Sequence, residues 1–321
     1  MPINDVRNTV LAIANKNNYG YISPADFNLY AKQAQMDMFE DYFYTYNTQI
    51  IKENLRQSGS GYADISKGLV EVIDSFSATQ TLINNGVNLF SLPSNYYLIN
   101  KLNYYPTVIL SGVTTAAANN TLTDATATFT SNTSILGQLV SSVTSDSVTA
   151  GQSAYVIAIV SNTELTLSDN IFGSAATIGN TYTIVADTGI VEVERVNQNK
   201  IFYLNSSPLT SPSTGYPAYV LGNANNTSLG NTVNVYPSTL TTPGTIFAQY
   251  VRYPNPPNWT YVILVGGEPL FDSSAADYQD FELPLSDEPI LVAKICQYVG
   301  VEIREADVVA FGQSEEAKDN Q

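Results

Sequence analysis

The chain has 321 residues, 44% hydrophobic and 13% charged, with a net charge of −16. That length provides for a sizeable core and suggests about two domains, and the hydrophobic content excludes a disordered polymer. The absence of histidine and the single cysteine exclude His-based acid–base and triad chemistry, cysteine zinc sites and an internal disulfide framework.

Residues 1–76 read as helical. Asn4 is placed to cap a first helix running to about Lys16. Ser23-Pro24-Ala25-Asp26 has the composition of a helix start: a Ser cap, Pro at the first position and an acid three residues on. Phe27, Ala31, Ala34, Met38, Tyr42, Tyr46 and Ile50 then recur every three or four residues and form one stripe, read as core packing. Gly59-Ser60-Gly61 ends that helix, and Tyr62 to Phe76 predicts a third with Ile65, Leu69 and Val72 or Ile73 inward. Asn15 to Asp26 mimics an EF-hand loop. Asn15 and Tyr19 stand where ligating acids belong and Asp26 is too short for a bidentate ligand, so a plain connection between helices is expected.

Asn84-Asn85-Gly86 between Thr79–Ile83 and Val87–Phe90 predicts a hairpin. Residues 106–188 change character, with few charges, many Thr, Ser and Ala, and about five short alternating runs. They predict a small inserted β-barrel or sandwich. Val191-Glu192-Val193 continues the strand pattern. Thr232–Pro237 and Thr245–Tyr253 read as a paired set of strands, and Pro254–Tyr261 as a rigid extended segment. Ser286-Asp287-Glu288-Pro289 predicts a helix to Gly300, and a last helix is expected from about Glu305 to Ala317. The fold class is therefore α+β. The predicted divisions are 1–105, helical bundle and hairpin; 106–188, inserted β module; 189–285, β-rich segment; and 286–321, C-terminal helices completing the bundle.

No constellation for catalysis emerges, and an enzyme is not expected. Asp37, Glu40 and Asp41 share helical spacing, and Asp277, Asp280 and Glu282 cluster in a predicted loop, but the sequence does not place any two as a catalytic pair. No P-loop motif occurs, Gly266-Gly267-Glu268 reads as a turn, and Cys296 sits in an apolar run as a small buried hydrophobe. No cofactor and no metal are expected. Lys52, Arg56 and Lys67 are isolated, so a nucleic-acid-binding patch is not expected either. The opening residues lack the pattern of a secretory leader, and no apolar run approaches membrane-spanning length. With 22 tyrosines and a neutral polar surface, the composition suits a protein packed against partners. A secreted or cold-tolerant globular protein would share it.

Three stretches carry a family resemblance: Asn17 to Asn28 continuing through Gln33 to Phe43, Tyr253 to Tyr261, and Asp280 to Pro289. They resemble structural proteins of crAss-like and related short-tailed phages. The 106–188 module is similar, more loosely, to β insertions across phage virion proteins. The resemblance implies a head-to-tail connector (adaptor) protein of the virion. It would form a homo-oligomeric ring, typically a dodecamer, below the portal, with other tail or ring proteins as partners. DNA would pass through the lumen without specific binding, and assembly would take place in the host cytoplasm with no membrane involved. Candidate inter-subunit contacts are Tyr253, Trp259, Tyr261, Phe281 and Phe311. The alternative is a phage fibre or head-decoration protein that binds carbohydrate through its Tyr-rich β surface. A tail-associated glycoside hydrolase is a third possibility.

Overall fold

A computed structural model describes residues 1–14, 22–54, 64–86, 88–143, 151–172, 179–222, 231–302, 309–310 and 313–314. The fold is mixed α and β, with helices toward both ends and a β-rich middle. In chain order, helices α1 (Ile3–Ala14), α2 (Pro24–Asn54) and α3 (Asp64–Asp74) come first. Strands β1 (Ser77–Thr81), β2 (Ile83–Asn84), β3 (Leu89–Ser91) and β4 (Tyr96–Tyr104) follow. Next are β5 (Val108–Val113), β6 (Ala116–Ala118), β7 (Thr121–Thr123), β8 (Leu139–Ser142), β9 (Ser153–Ile159), β10 (Glu164–Leu167) and β11 (Thr181–Val185). Then come β12 (Val191–Arg195), helix α4 (Gln198–Asn205), β13 (Ala218–Leu221), β14 (Thr232–Tyr236) and β15 (Ile246–Arg252). The short strands β16 (Tyr261–Ile263) and β17 (Pro269–Phe271) precede helix α5 (Glu288–Glu302). The chain divides into two compact units, Met1–Phe76 with Tyr253–Gln321, and Ser77–Arg252.

The first unit is built from both ends of the chain. Helix α1 buries Ile3, Val6, Arg7, Val10 and Ala14, a spacing that puts them on one face. Its cap differs from the sequence expectation. Asn4 lies inside the helix, and the Ile3 amide donates to Asp280 Oδ1 at 2.8 Å. The carboxylate comes from 277 residues away, which local spacing cannot reveal. Helix α2 starts as its sequence predicts: the Asp26 amide donates to Ser23 Oγ at 3.2 Å, and the Ser23 hydroxyl donates to the Asp26 carboxylate. Its stripe is buried at Phe27, Ala31, Ala34 and Met38, and only half-buried at Tyr42, Tyr46 and Ile50.

Helices α2 and α5 run antiparallel: Tyr30 stacks on Tyr298 at 6.0 Å, Lys294 pairs with Asp41 at 3.1 Å, and Tyr42 donates to Asp287. Phe39 anchors an aromatic cluster with Phe43, Phe76 and Tyr253 at centroid distances of 5.1, 5.2 and 6.0 Å. Helix α5 buries Leu291, Val292, Ala293, Ile295, Cys296 and Val299, and a helix buried over so much of its circumference must be enclosed by its neighbours.

The second unit holds two sheets. The eight-stranded one has the order β1-β15-β4-β12-β13-β14-β3-β2. β1 and β2 occupy opposite edges although Leu82 alone separates them in sequence. The sheet must therefore curl until its edges meet, giving a nearly closed barrel-like form. It is filled by Leu82, Phe90, Leu102, Val233, Val235, Ile246 and neighbouring apolar side chains. Its single parallel pair is β12 with β13, and α4 makes the crossover that a parallel pair requires. The sequence predicts no helix at α4. Among its residues only Ile201 is buried, so no apolar period marks it.

Strands β14 and β15 are not paired with each other, contrary to expectation. β14 lies between β13 and β3, and β15 between β1 and β4. Two similar runs close in sequence suggest a hairpin, but β-strand pairing is settled by which neighbours complete the core. The hairpin at Asn84-Asn85-Gly86 does form, between β2 and β3.

The seven-stranded sheet, β5-β11-β8-β9-β10-β7-β6, draws all its strands from 108–185. Its edge strands β5 and β6 are also neighbours in sequence, so it too curls on itself. Its core contains Leu122, Phe129, Val140, Leu165, Phe172, Tyr182 and Ile184.

Candidate interaction surfaces

Trp259 organises the best-defined polar and aromatic constellation in the first unit. It is 2% exposed. Its indole Nε1–H donates to Asn4 Oδ1 at 3.1 Å, and its amide donates to Asn28 Oδ1 at 2.9 Å. The Arg7 guanidinium lies 3.9 Å from its ring centroid, so a buried cation is stabilised by the ring quadrupole. Tyr261 and Phe271 stack on the same indole, at 5.6 and 5.8 Å.

That stacking sets the orientation of a hairpin. β16 and β17 pair Tyr261 with Phe271, Val262 with Leu270 and Ile263 with Pro269. Paired residues share a face, and adjacent residues alternate. The Tyr261–Phe271 pair is turned toward Trp259, so Val262 and Leu270 lie on the opposite face, where both are exposed. The Leu264 amide donates to Glu268 O at 3.0 Å and the Gly267 amide to Leu264 O at 2.8 Å. Gly267 has φ +84°, a conformation that favours glycine. This closes a turn with Val265 fully exposed at its tip and Ile263 and Leu264 exposed beside it.

A cleft of about 270 Å³ beside the hairpin is lined by Asn28, Asn258, Trp259, Tyr261 and Asp277, among others. Its polar groups are engaged with one another. Asn28 Nδ2 donates to Asn258 Oδ1 at 2.8 Å, and Asn258 Nδ2 donates to the Asp277 carboxylate at 3.0 Å.

The second unit carries another apolar surface. On α4 and the loop after it, Phe202, Tyr203, Leu209 and Tyr216 are exposed, Leu209 to 93% and Tyr216 to 85%. Leu209 and Tyr216 line a mixed polar and apolar cleft of about 430 Å³ whose walls also include Glu194, Val196, Lys200, Leu204, Pro208, Ser211 and Ser213.

Of the five candidate contact residues, Trp259 and Phe281 are buried within their own unit, and Tyr253 and Tyr261 are partly exposed. Phe311 lies outside the described residues. The structure brings Trp259 and Tyr261 together, while Tyr253 joins the Phe39 cluster. Phe281 bonds to Met1 through both backbone groups, at 2.9 and 3.2 Å. The exposed apolar tip at 262–265 and the α4 surface are not predicted by the sequence. Continuous apolar runs such as Tyr261 to Val265 have the composition of buried strands, and only the register shows which side is open.

Several of the acidic residues are engaged within the fold. Asp37 accepts from Tyr298 at 2.5 Å, Asp41 pairs with Lys294, Asp280 caps α1, and Glu282 accepts from the Asn255 amide and side chain, both at 2.9 Å. Burial, then the hydrogen bond to Asp287 and the charges of Asp287 and Asp41, holds the Tyr42 phenol well above its usual range. Burial pushes the Cys296 thiol up to about 11. Among the described residues, no three His, Cys, Asp or Glu side chains are placed to hold a metal ion, and no helix is long and apolar enough to cross a membrane. Of the EF-hand-like stretch, residues 15–21 lie outside the described residues, and Asp26 is engaged with Ser23. No protein-family model matches the chain, and no curated protein matches it.

Proposed function

We propose that the chain is a virion structural protein, a ring-forming head-to-tail connector of a short-tailed phage, stacked below the portal and surrounding the path of the DNA. One observation carries this reading. The three stretches that bear the family resemblance, the first more than 200 residues before the other two, fold against each other in one unit. Asn28 bonds to Asn258 and Trp259, the Gln35 side chain donates to Asn255 O at 2.7 Å and accepts from the Glu282 amide at 3.1 Å, and Tyr42 bonds to Asp287. A resemblance that marks a common fold should converge in this way, and a chance match of scattered segments would not.

On this reading α1, α2, α3 and α5 form the bundle that carries the ring contacts, and residues 106–188 are an inserted barrel that faces tail partners. The acidic balance keeps DNA from adhering to the ring. The protein acts by assembly, and its carboxylates serve its fold. Native mass spectrometry, with and without portal, and cryo-electron microscopy of the virion test the proposal. A ring of about twelve copies at the head–tail junction is expected from the resemblance. A stable trimer with affinity for polysaccharide would overturn it in favour of a fibre or decoration protein, and shortening of polysaccharide chains would point instead to a hydrolase.

A further inference from the structure

We propose that Asn85 is a site of spontaneous deamidation, and that Ser91 and Asn84 hold its rate down while the chain is folded.

Asn85-Gly86 is the sole Asn-Gly pair in the chain, and both residues are exposed in the loop between β2 and β3. Glycine has no side chain, so nothing shields the Gly86 nitrogen from the carboxamide before it. The Gly86 nitrogen gives up its proton to a base in solvent and attacks Asn85 Cγ. An N–Cγ bond forms, the Cγ–Nδ2 bond breaks, and ammonia leaves with a proton taken from water. The cyclic imide then takes up a water molecule at either carbonyl carbon, and the C–N bond there breaks. One product is aspartate. The other is isoaspartate, which carries an extra carbon in the backbone. Nothing is oxidised or reduced, and water is the co-reactant. The longer backbone would fall in a hairpin whose register depends on its loop.

The fold turns the two reacting groups away from each other. The Gly86 N–H donates to Asn84 Oδ1 at 2.8 Å. The proton that must leave is therefore shared with an amide oxygen, which accepts a hydrogen bond but is too weak a base to remove it. The Asn85 carboxamide is drawn toward β3, where its Nδ2 donates to Ser91 Oγ. Both partners are fixed in turn. Asn84 Nδ2 donates to Thr241 O at 3.1 Å, and Ser91 lies between Ile83 and Thr232 in the sheet. The Asn85 amide closes the loop by donating to Leu89 O at 2.8 Å, which restricts the backbone rotation needed to bring the Gly86 nitrogen onto Cγ.

The test follows the full-length chain in mildly alkaline buffer by peptide mass spectrometry that separates aspartate from isoaspartate. Unfolded in urea, the chain is expected to convert Asn85 ahead of every other asparagine. The folded chain is expected to convert it several-fold more slowly. Ser91→Ala removes the hydroxyl from an exposed bond and should recover much of that difference in the folded chain. Ser91→Thr keeps a hydroxyl at the same place and should stay near the wild-type rate. No preference for Asn85 in urea would overturn the site. Equal rates for the folded wild type and Ser91→Ala would overturn the restraint by Ser91, and so would a Ser91→Thr chain as fast as Ser91→Ala, because strand loosening would then account for both.

Discussion

Asn4 accepts a hydrogen bond from the Trp259 indole at 3.1 Å, across 255 positions of the chain. The bond turns a residue suited to capping a helix into the support for a tryptophan, and Asp280 supplies the cap instead. Asn4→Ala would leave the indole N–H buried without that acceptor, at a cost of about 1–3 kcal/mol. The single tryptophan lies in the first unit, so its fluorescence during urea unfolding reports this unit directly. Asp280→Ala should cost about 1 kcal/mol through the lost cap. Equal unfolding midpoints for Asn4→Ala and wild type would refute the supporting role.

In the seven-stranded sheet, Tyr182 lies opposite Gly112 and donates to the buried Asp124 carboxylate at 2.8 Å. A Cβ at position 112 would stand 2.5 Å from Asp124 Oδ2 and 2.6 Å from the Tyr182 hydroxyl. Gly112→Ala should therefore destabilise the sheet by about 2–4 kcal/mol, combining overpacking with a disrupted buried hydrogen bond. Gly215→Ala, where an added Cβ meets nothing within 4 Å, is the matched control. Near-UV circular dichroism of the tyrosines during unfolding distinguishes the two.

Burial acts to raise the Asp124 carboxyl, but hydrogen bonds from the Thr126 hydroxyl and amide and from Tyr182 outweigh it and hold the group below the usual carboxylate range. A depressed folded value means that the carboxylate stabilises the fold above its unfolded pKa of about 3.9. That contribution is lost as pH falls through the lower folded value. Melting temperature should drop below pH 4, with a shallower drop in Asp124→Asn. Identical slopes would show that other groups control acid unfolding.

Val185 lies opposite Val108, so the module's ends are adjacent in space, and Tyr104 and Val191 just outside it are paired. A short glycine linker can therefore replace 107–186. The helical circular dichroism signal should persist. The eight-stranded sheet should melt earlier, because Phe247 is buried against Tyr105, Leu139 and Val185, and uncovering a phenylalanine costs about 1.5–3 kcal/mol. Loss of the helical signal would show that the first unit needs the module in order to fold.

What the sequence determined by itself was local. The start of α2 follows from Ser23, Pro24 and Asp26, whose partners lie within one turn. The buried stripe from Phe27 to Met38 and the hairpin around Asn85 follow from periodicity and turn chemistry, which act between near neighbours. Helix α4 left no signal, because a helix that buries Ile201 alone has no apolar period. The tertiary structure decided everything that depends on distant partners. It assigned the α1 cap to Asp280, gave β14 and β15 different neighbours, placed Trp259 at the base of a hairpin, and left Val262, Val265 and Leu270 open. Composition shows that a run is apolar. Whether the run is core or contact surface depends on what the rest of the chain places over it.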